Sequence, residues 1–319
     1  MKDNYGREIN YMRISLTDRC NLRCVYCLPE NTALKANQKM LSKEDILKIT
    51  EGAKELGITK IRLTGGEPLL RDDITDIIKG IYSQGIKDIH LTTNGTLLGE
   101  KAQALKEAGL TGINVSLDTL DDDLYTKMTR GGELIHVLLG IQRARFCGLK
   151  VKLNAVIIKG LNESSVRNLA GLTTEEDMDV RFIELMPMGE GKNFTGISND
   201  EIYNILEKRY GFDNSYFEED GVAKYYKLKK GVGRIGFISP INNCFCETCN
   251  KIRVTSDGNI KRCLNINGHV NIKDCIDKGA DKESIKKILE NEILNKPEKH
   301  LFGEENADEE MKNMNQIGG

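Results

Sequence analysis

No apolar run in the sequence approaches the roughly 18 residues that a membrane helix needs. The opening Met1-Lys2-Asp3-Asn4-Tyr5 lacks the apolar core of a signal peptide, so a cytoplasmic protein is expected. No excess of one charge exists either. A net charge of −2 argues against nucleic acid or a membrane surface as partner. The pattern G-x4-G-K-[ST] is missing, which excludes nucleotide binding through a P-loop. Histidine is scarce at four residues, and the first of them, His90, stands far from the N-terminal cysteines.

What is present describes a globular chain of 319 residues, 39% hydrophobic and 29% charged. It contains nine cysteines. In a chain of this size without a signal peptide, they point to metal or redox roles rather than to disulfides. Six fall into two groups with metal-ligand spacing, leaving Cys147, Cys244 and Cys275. Cys147 ends a helical pattern and reads as core.

The first group is Cys20-Asn21-Leu22-Arg23-Cys24-Val25-Tyr26-Cys27, a C-x3-C-x2-C loop directly after an apolar run. Such a loop can turn three sulfurs toward one point but offers no fourth protein ligand, which a structural zinc requires. An iron–sulfur cube accepts three thiolates and keeps one iron open. The motif resembles the signature of the radical S-adenosylmethionine (radical SAM) superfamily, including the aromatic before the last cysteine, Tyr26. The resemblance implies that the open iron chelates the amino and carboxylate groups of the cofactor's methionine end.

Short β-branched runs at 10–16, 59–64, 87–93, 111–117, 150–158 and 180–185 alternate with helical patterns at 42–56, 72–83, 99–108, 133–147 and 163–172. Ser42 with Asp45 reads as a capping pair, and Gly57, Gly85, Gly109 and Gly148 stand where C-cap glycines belong. Six βα units predict an α/β fold, a partial (βα)6 TIM-like barrel open on one side. The polar clusters at the strand ends are expected to share one mouth at the C-terminal face. Among them Gly65-Gly66-Glu67-Pro68 combines close backbone approach with an acceptor for a cation, and resembles the radical SAM element that holds the cofactor's amino group.

Beyond residues 188–212, read as a linker and a helix capped by Ser198, the texture becomes strand-like, with a hairpin signal at Asp257-Gly258. A boundary near 215–230 divides the chain into a barrel domain, 1–220, and a C-terminal α+β module, 221–319. The module carries Cys246-Glu247-Thr248-Cys249 and Cys263, again three thiols. A zinc ribbon with Cys244 as fourth ligand is the alternative to a second cluster. Cys244 lies two residues from Cys246 and is expected to point away from it.

The residues Gly236-Phe237-Ile238-Ser239-Pro240, Phe245-Cys246, Cys249-Asn250-Lys251-Ile252-Arg253 and Cys263-Leu264 resemble the C-terminal module of the GTP 3′,8-cyclase family, the molybdenum cofactor biosynthesis A proteins. Asp18-Arg19-Cys20, Leu28-Pro29-Glu30, Arg181-Phe182-Ile183-Glu184-Leu185-Met186, Lys296-Pro297 with His300, and Gly318-Gly319 match it too, so the resemblance spans the chain. It implies a lyase that converts GTP to 3′,8-cyclo-7,8-dihydro-GTP in the first step of molybdenum cofactor biosynthesis. It also implies two [4Fe-4S] clusters, one on Cys20, Cys24 and Cys27 and one on Cys246, Cys249 and Cys263. By resemblance, Tyr26, Gly66, Ser116 and Met186 contact S-adenosylmethionine, while Arg13, Arg62, Thr93, Lys152, Lys251 and Arg253 contact GTP. Lys251 stands where the family has Arg, keeping the charge but not the two-pronged donor.

By composition, residues 303–316 read as an unstructured tail and Gly318-Gly319 as a frayed end. The family pattern instead places these two glycines, with Arg253, in the catalytic machinery. It also implies a homodimer, an external electron donor, and delivery of product to cyclic pyranopterin monophosphate synthase. The competing functions are a radical SAM peptide or protein maturase with an auxiliary cluster, and a non-catalytic metal-binding scaffold.

Overall fold

The computed structural model describes residues 1–31, 39–242, 244–268, 270–300 and 313–318. The barrel begins with β1 (Tyr11–Ser15), α1 (Lys43–Glu55), β2 (Lys60–Thr64), α2 (Ile74–Ser83), β3 (Asp88–Thr93) and α3 (Leu98–Glu107). It continues through β4 (Gly112–Ser116), α4 (Asp122–Thr129), α5 (Leu134–Phe146), β5 (Lys150–Val156), α6 (Ser165–Glu175) and β6 (Asp179–Ile183). Then come α7 (Asn199–Tyr210), β7 (Glu218–Asp220), β8 (Ala223–Tyr226), β9 (Arg234–Ile238), β10 (Lys251–Val254) and β11 (Asn259–Lys261). The last are β12 (Val270–Asn271), α8 (Ile272–Asp277), α9 (Lys282–Leu294) and α10 (Met314–Ile317).

Strands β1 to β6 lie side by side and parallel, the geometry that βα crossovers enforce. The barrel stays open because its two edge strands find other partners. β10 pairs with β1 and β9 with β6, both in parallel, and the antiparallel pairs β11-β12 and β8-β7 finish the sheet. The sheet therefore runs unbroken across residue 220.

Side chains on these strands alternate between two rows. The outer row is apolar, including Met12, Ile14, Ile61, Leu63, Ile89, Leu91, Ile113, Val115, Leu153, Val180, Ile252 and Val254, all buried in one core with the helices. The inner row is polar. Register places Arg253, Arg13, Arg62 and His90 abreast, with Asn154 beside Arg181 further round. A closed barrel of this type fills its interior with branched apolar residues. Here the interior holds charge, and an open, charged interior is a binding cavity.

Ser42 and Asp45 form the expected capping box at α1, and Gly57, Gly85, Gly109 and Gly148 all have positive φ just past their helices. Helix α4 was not anticipated, because its eight residues are too short and too acidic at the start to show a stripe. The hairpin expected at Asp257-Gly258 forms between β10 and β11, with Gly258 at φ 88. Part of the expected unstructured tail is also ordered. Asn313 and Gln316 form a capping box around α10, and Asn315 and Ile317 are buried. The rest of that tail, 303–312, lies outside the described residues, as does Gly319.

Candidate active site

The loop bearing Cys20, Cys24 and Cys27 leaves the C-terminal end of β1 and is held by α4. Arg23 and Val25 donate their backbone N–H groups to the carbonyls of Thr129 and Met128 at 3.0 and 2.9 Å. Arg130, the one described non-glycine residue at positive φ, gives its guanidinium to Leu28 O at 2.9 Å. The three thiols are half-buried and reduced. Burial, together with the neighbouring sulfurs, pushes Cys24 and Cys27 upward, Cys27 to about 12. Donors stand ready for anionic sulfur: Leu22 N–H at 3.4 Å and Asn94 Nδ2 at 3.8 Å from Cys20 Sγ. Three converging thiols with amide donors fit a cluster bound as thiolates.

Next to them Tyr26 donates its hydroxyl to Asp118 Oδ2 at 2.7 Å, and Val156 N–H donates to Asp118 Oδ1 at 2.8 Å. Burial lifts the Asp118 carboxyl to about 6 against those two donors. Cys24, Tyr26, Asn94, Ser116 and Asp118 line one small cavity. Met186 stands apart from that lining, just past β6, with its carbonyl accepting Met188 N–H at 2.8 Å.

Gly65 and Gly66 allow close approach, but of the chain to itself. A Cβ on Gly65 would meet Thr17 O at 2.5 Å, and one on Gly66 would meet Arg19 O at 2.3 Å. The Gly66 and Glu67 N–H groups donate to those same two carbonyls at 2.7 Å each, fixing the start of the cysteine loop. The Glu67 side chain is fully buried and accepts from Leu69 N–H, Thr93 Oγ1 and Asn94 N–H at 2.9, 2.7 and 2.7 Å. It braces the loop after β3 rather than presenting an acceptor to a ligand. Thr93 correspondingly sits on the outer row of β3. It is Thr92 that alternation brings inward, where it accepts from Arg62 Nη1 at 3.5 Å.

The inner cations are crowded. Arg62 donates through Nε to the Tyr11 hydroxyl. Burial alone would raise Tyr11, but Arg62 and Arg13 beside it win and bring the phenol down to about 8. Burial and then Arg253 depress Arg13, and burial pushes Lys251 down to about 8. Lys152 pairs with Asp179 at 3.1 Å and reaches the Tyr225 hydroxyl at 3.2 Å. Arg181 is not one of the substrate contacts that the resemblance implies, yet its Nε and Nη2 are buried with no hydrogen-bond partner among the described residues. Cations depressed by burial and by one another call for an anion.

The second cysteine group does not share the mouth expected from strand ends. Cys249 immediately precedes β10, which runs parallel to β1, so this group lies at the N-terminal end of the barrel interior, opposite the first loop. The inner row of cations lies across the barrel between them. Burial would raise Cys249, but Lys296 and Lys251 outweigh it and lower the thiol, a fit for thiolate ligation. The supports are residues whose roles no local pattern announced. Lys296 is buried and donates to Lys251 O and Arg262 O at 2.7 Å each. Arg262 grips buried Glu292 with two bonds of 2.9 and 2.7 Å. Arg7 donates to Cys246 O at 2.9 Å, Glu298 O at 2.8 Å and Pro297 O at 2.7 Å. Only the distance between strand and partner hides Arg7, which reads in isolation as a surface charge.

Cys244 departs from expectation. Its Sγ, that of Cys246 and a ring nitrogen of His300 lie within 4.8 Å of one another. Phe245 between them, at φ −104 and ψ 29, is not extended, so the chain bends there and brings the two thiols together. Gly318, for its part, reaches the mouth. Its carbonyl accepts from Arg253 Nη1 at 3.1 Å, and a Cβ there would press Thr64 Cγ2 at 2.9 Å and Ser15 Cβ at 3.0 Å.

Residues 14–173 match the radical SAM superfamily and residues 178–302 match Molybdenum Cofactor Synthesis C. Among curated proteins, the chain is 45% identical to a GTP 3′,8-cyclase of Clostridium perfringens strain 13 and 46% identical to one of Alkaliphilus oremlandii, in each case over 100% of both chains. Among solved structures it resembles Streptococcus suis SuiB bound to S-adenosylmethionine, with TM-score 0.60 and 17% identity over 80% of this chain and 60% of that one. It also resembles anSMEcpe with bound AdoMet, with TM-score 0.57 and 14% identity over 92% and 82%. Those two likenesses concern the fold.

Proposed function

The chain belongs to the GTP 3′,8-cyclase family of the radical SAM superfamily, and from that premise we propose how its residues divide the work. It converts GTP to 3′,8-cyclo-7,8-dihydro-GTP in the first step of molybdenum cofactor biosynthesis. Cys20, Cys24 and Cys27 would hold a [4Fe-4S] cluster and with it S-adenosylmethionine, which when bound would supply radical chemistry at the ribose. Tyr26, Gly66, Ser116 and Met186 position that cofactor. Gly66 does so by setting the loop, and Tyr26 by its tether to Asp118.

Cys246, Cys249 and Cys263 would hold a second cluster, and the inward cations between the two cysteine groups would receive the substrate. Arg253, Arg13, Arg62, Arg181, Lys251 and Lys152 neutralise the triphosphate. Charge-assisted contacts to phosphate are the strong ones, and they strengthen away from water. Thr93 acts indirectly, through Glu67 and the loop that meets the cysteines. Arg253 also holds the Gly318 carbonyl at the mouth, and these residues together with Gly319 serve the catalytic machinery. As a lyase the protein needs an external electron donor and passes its product to cyclic pyranopterin monophosphate synthase. It is a cytoplasmic homodimer, with residues 1–220 and 221–319 as its two functional parts.

The row of inward cations between two cysteine triplets carries this proposal. Anaerobic reconstitution should load about eight irons per chain, as two cubes require. With GTP, S-adenosylmethionine and a reductant, the chain should then release 5′-deoxyadenosine and consume GTP. Cleavage of the cofactor without loss of GTP would move the substrate elsewhere. Removing Gly318 and Gly319 should leave iron content unchanged and stop cyclisation, and a truncated chain that still converts GTP would refute the role of the tail.

A further inference from the structure

We propose that Cys244, Cys246 and His300 form a mononuclear site for a thiophilic divalent cation, of the class represented by Zn²⁺, with a ligand set different from the Cys246, Cys249 and Cys263 triplet. The three ligand atoms already lie within 4.8 Å of one another. Two thiolates and one imidazole are donors that zinc prefers, and a water completes the tetrahedron. His300 Nε2 contacts Pro240 O at 3.0 Å. A carbonyl only accepts, so Nε2 donates in this contact, and on binding an ion the ring would coordinate through its other nitrogen. A metal-ligating histidine commonly donates its other N–H in this way.

The segments that bring these ligands together are fixed independently of any ion. Glu184 accepts from the Ile241 and Asn242 N–H groups, both at 3.2 Å, and from Asn242 Nδ2 at 2.8 Å, which sets the turn leading to Cys244. Arg7 holds the Cys246 and Glu298 carbonyls with one nitrogen. His300 N–H donates to Cys246 Sγ at 3.4 Å. The fold therefore presents the pair of loops as a unit, and ordering them on binding costs little. Cys244 is exposed, which gives the ion a route from solvent.

Charge separates this site from its neighbour. Around Cys249 stand Lys296, Lys251 and Arg253, surroundings that favour an anionic assembly and repel a bare dication. Beside Cys246 the Arg7 guanidinium is engaged by the Cys246, Glu298 and Pro297 carbonyls and by the Asp3 carboxylate, which balances its charge. Binding forms two metal–sulfur bonds and one metal–nitrogen bond and releases the two thiol protons, with no change of oxidation state. Because Cys246 belongs to both sets, an ion held here excludes ligation of that sulfur by a cluster. The site therefore belongs to the cluster-free chain, and its test does not depend on whether the second cluster can be assembled.

Cobalt(II) is the probe, added to full-length chain that is reduced and free of iron. Stoichiometry and affinity are read from thiolate-to-cobalt charge transfer and tetrahedral d–d absorption. Compared with the unaltered chain, Cys244→Ser and His300→Ala should each lose one bound equivalent or weaken it by more than about tenfold. Cys263→Ser should retain it, and retention there also controls for folding of the loop. The proposal fails if Cys244→Ser binds as the unaltered chain does, or if Cys263→Ser loses the same equivalent. Loss in Cys263→Ser would assign the ion to the triplet instead.

Discussion

Arg181 and Tyr11 carry the strain of building an anion site inside a barrel. Two buried nitrogens of Arg181 lack partners among the described residues, and an unsatisfied buried donor destabilises a fold. Arg181→Met should therefore raise the urea midpoint, by about 1 kcal/mol of stability, while weakening GTP binding more than tenfold. Equilibrium unfolding and calorimetric binding test the two halves separately, and a lowered midpoint would contradict the first. Tyr11 gives a pH signature. Its phenol, brought down to about 8, is neutral below that pH and adds a negative charge among the cations above it. GTP affinity should consequently fall as pH rises through about 8, where Lys251 also sheds its charge, and Tyr11→Phe should make that fall shallower without abolishing it. An unchanged slope in the variant would show that another group titrates.

At the scale of elements, the cysteine loop depends on glycine next door. Gly66→Ala would drive a Cβ to within 2.3 Å of the Arg19 carbonyl, a backbone atom that cannot swing aside. The variant should keep its far-UV circular dichroism but lose most of the iron bound at Cys20, Cys24 and Cys27, measured by iron analysis in a chain with the second triplet changed to serine. Full iron loading would remove the loop argument. The strands and most helices were legible because period-2 and period-3.6 patterns are local. Helix α4, which grips this loop, was not, since eight residues with an acidic first turn leave no stripe to count. The same limit hid the choice between Thr92 and Thr93, because alternation at a strand end needs the register of its neighbour. Arg7 and Lys296 were illegible for another reason: their partners are carbonyls made available by folding, and no side-chain pattern marks a carbonyl.

The whole molecule is one sheet with the C-terminal strands on both of its edges. β10 satisfies the free edge of β1, and β9 that of β6. A fragment ending at residue 220 would expose both edges, the usual template for aggregation. It should be insoluble or lack cooperative unfolding, while the full chain free of clusters should show a single denaturant transition by circular dichroism and tyrosine fluorescence. Two separated transitions in the full chain, or a soluble cooperative fragment, would mean that the halves fold alone.

Alternation along the strands has a consequence for change over time. Cohesion is written on the outward positions and recognition on the inward ones, so each can be revised without rewriting the other. A new cargo could be accommodated by editing Arg13, Arg62, Lys152 or Arg253 while Ile14, Leu63, Leu153 and Val254 went on holding the helices in place. Such a scaffold is open to new chemistry from the inside.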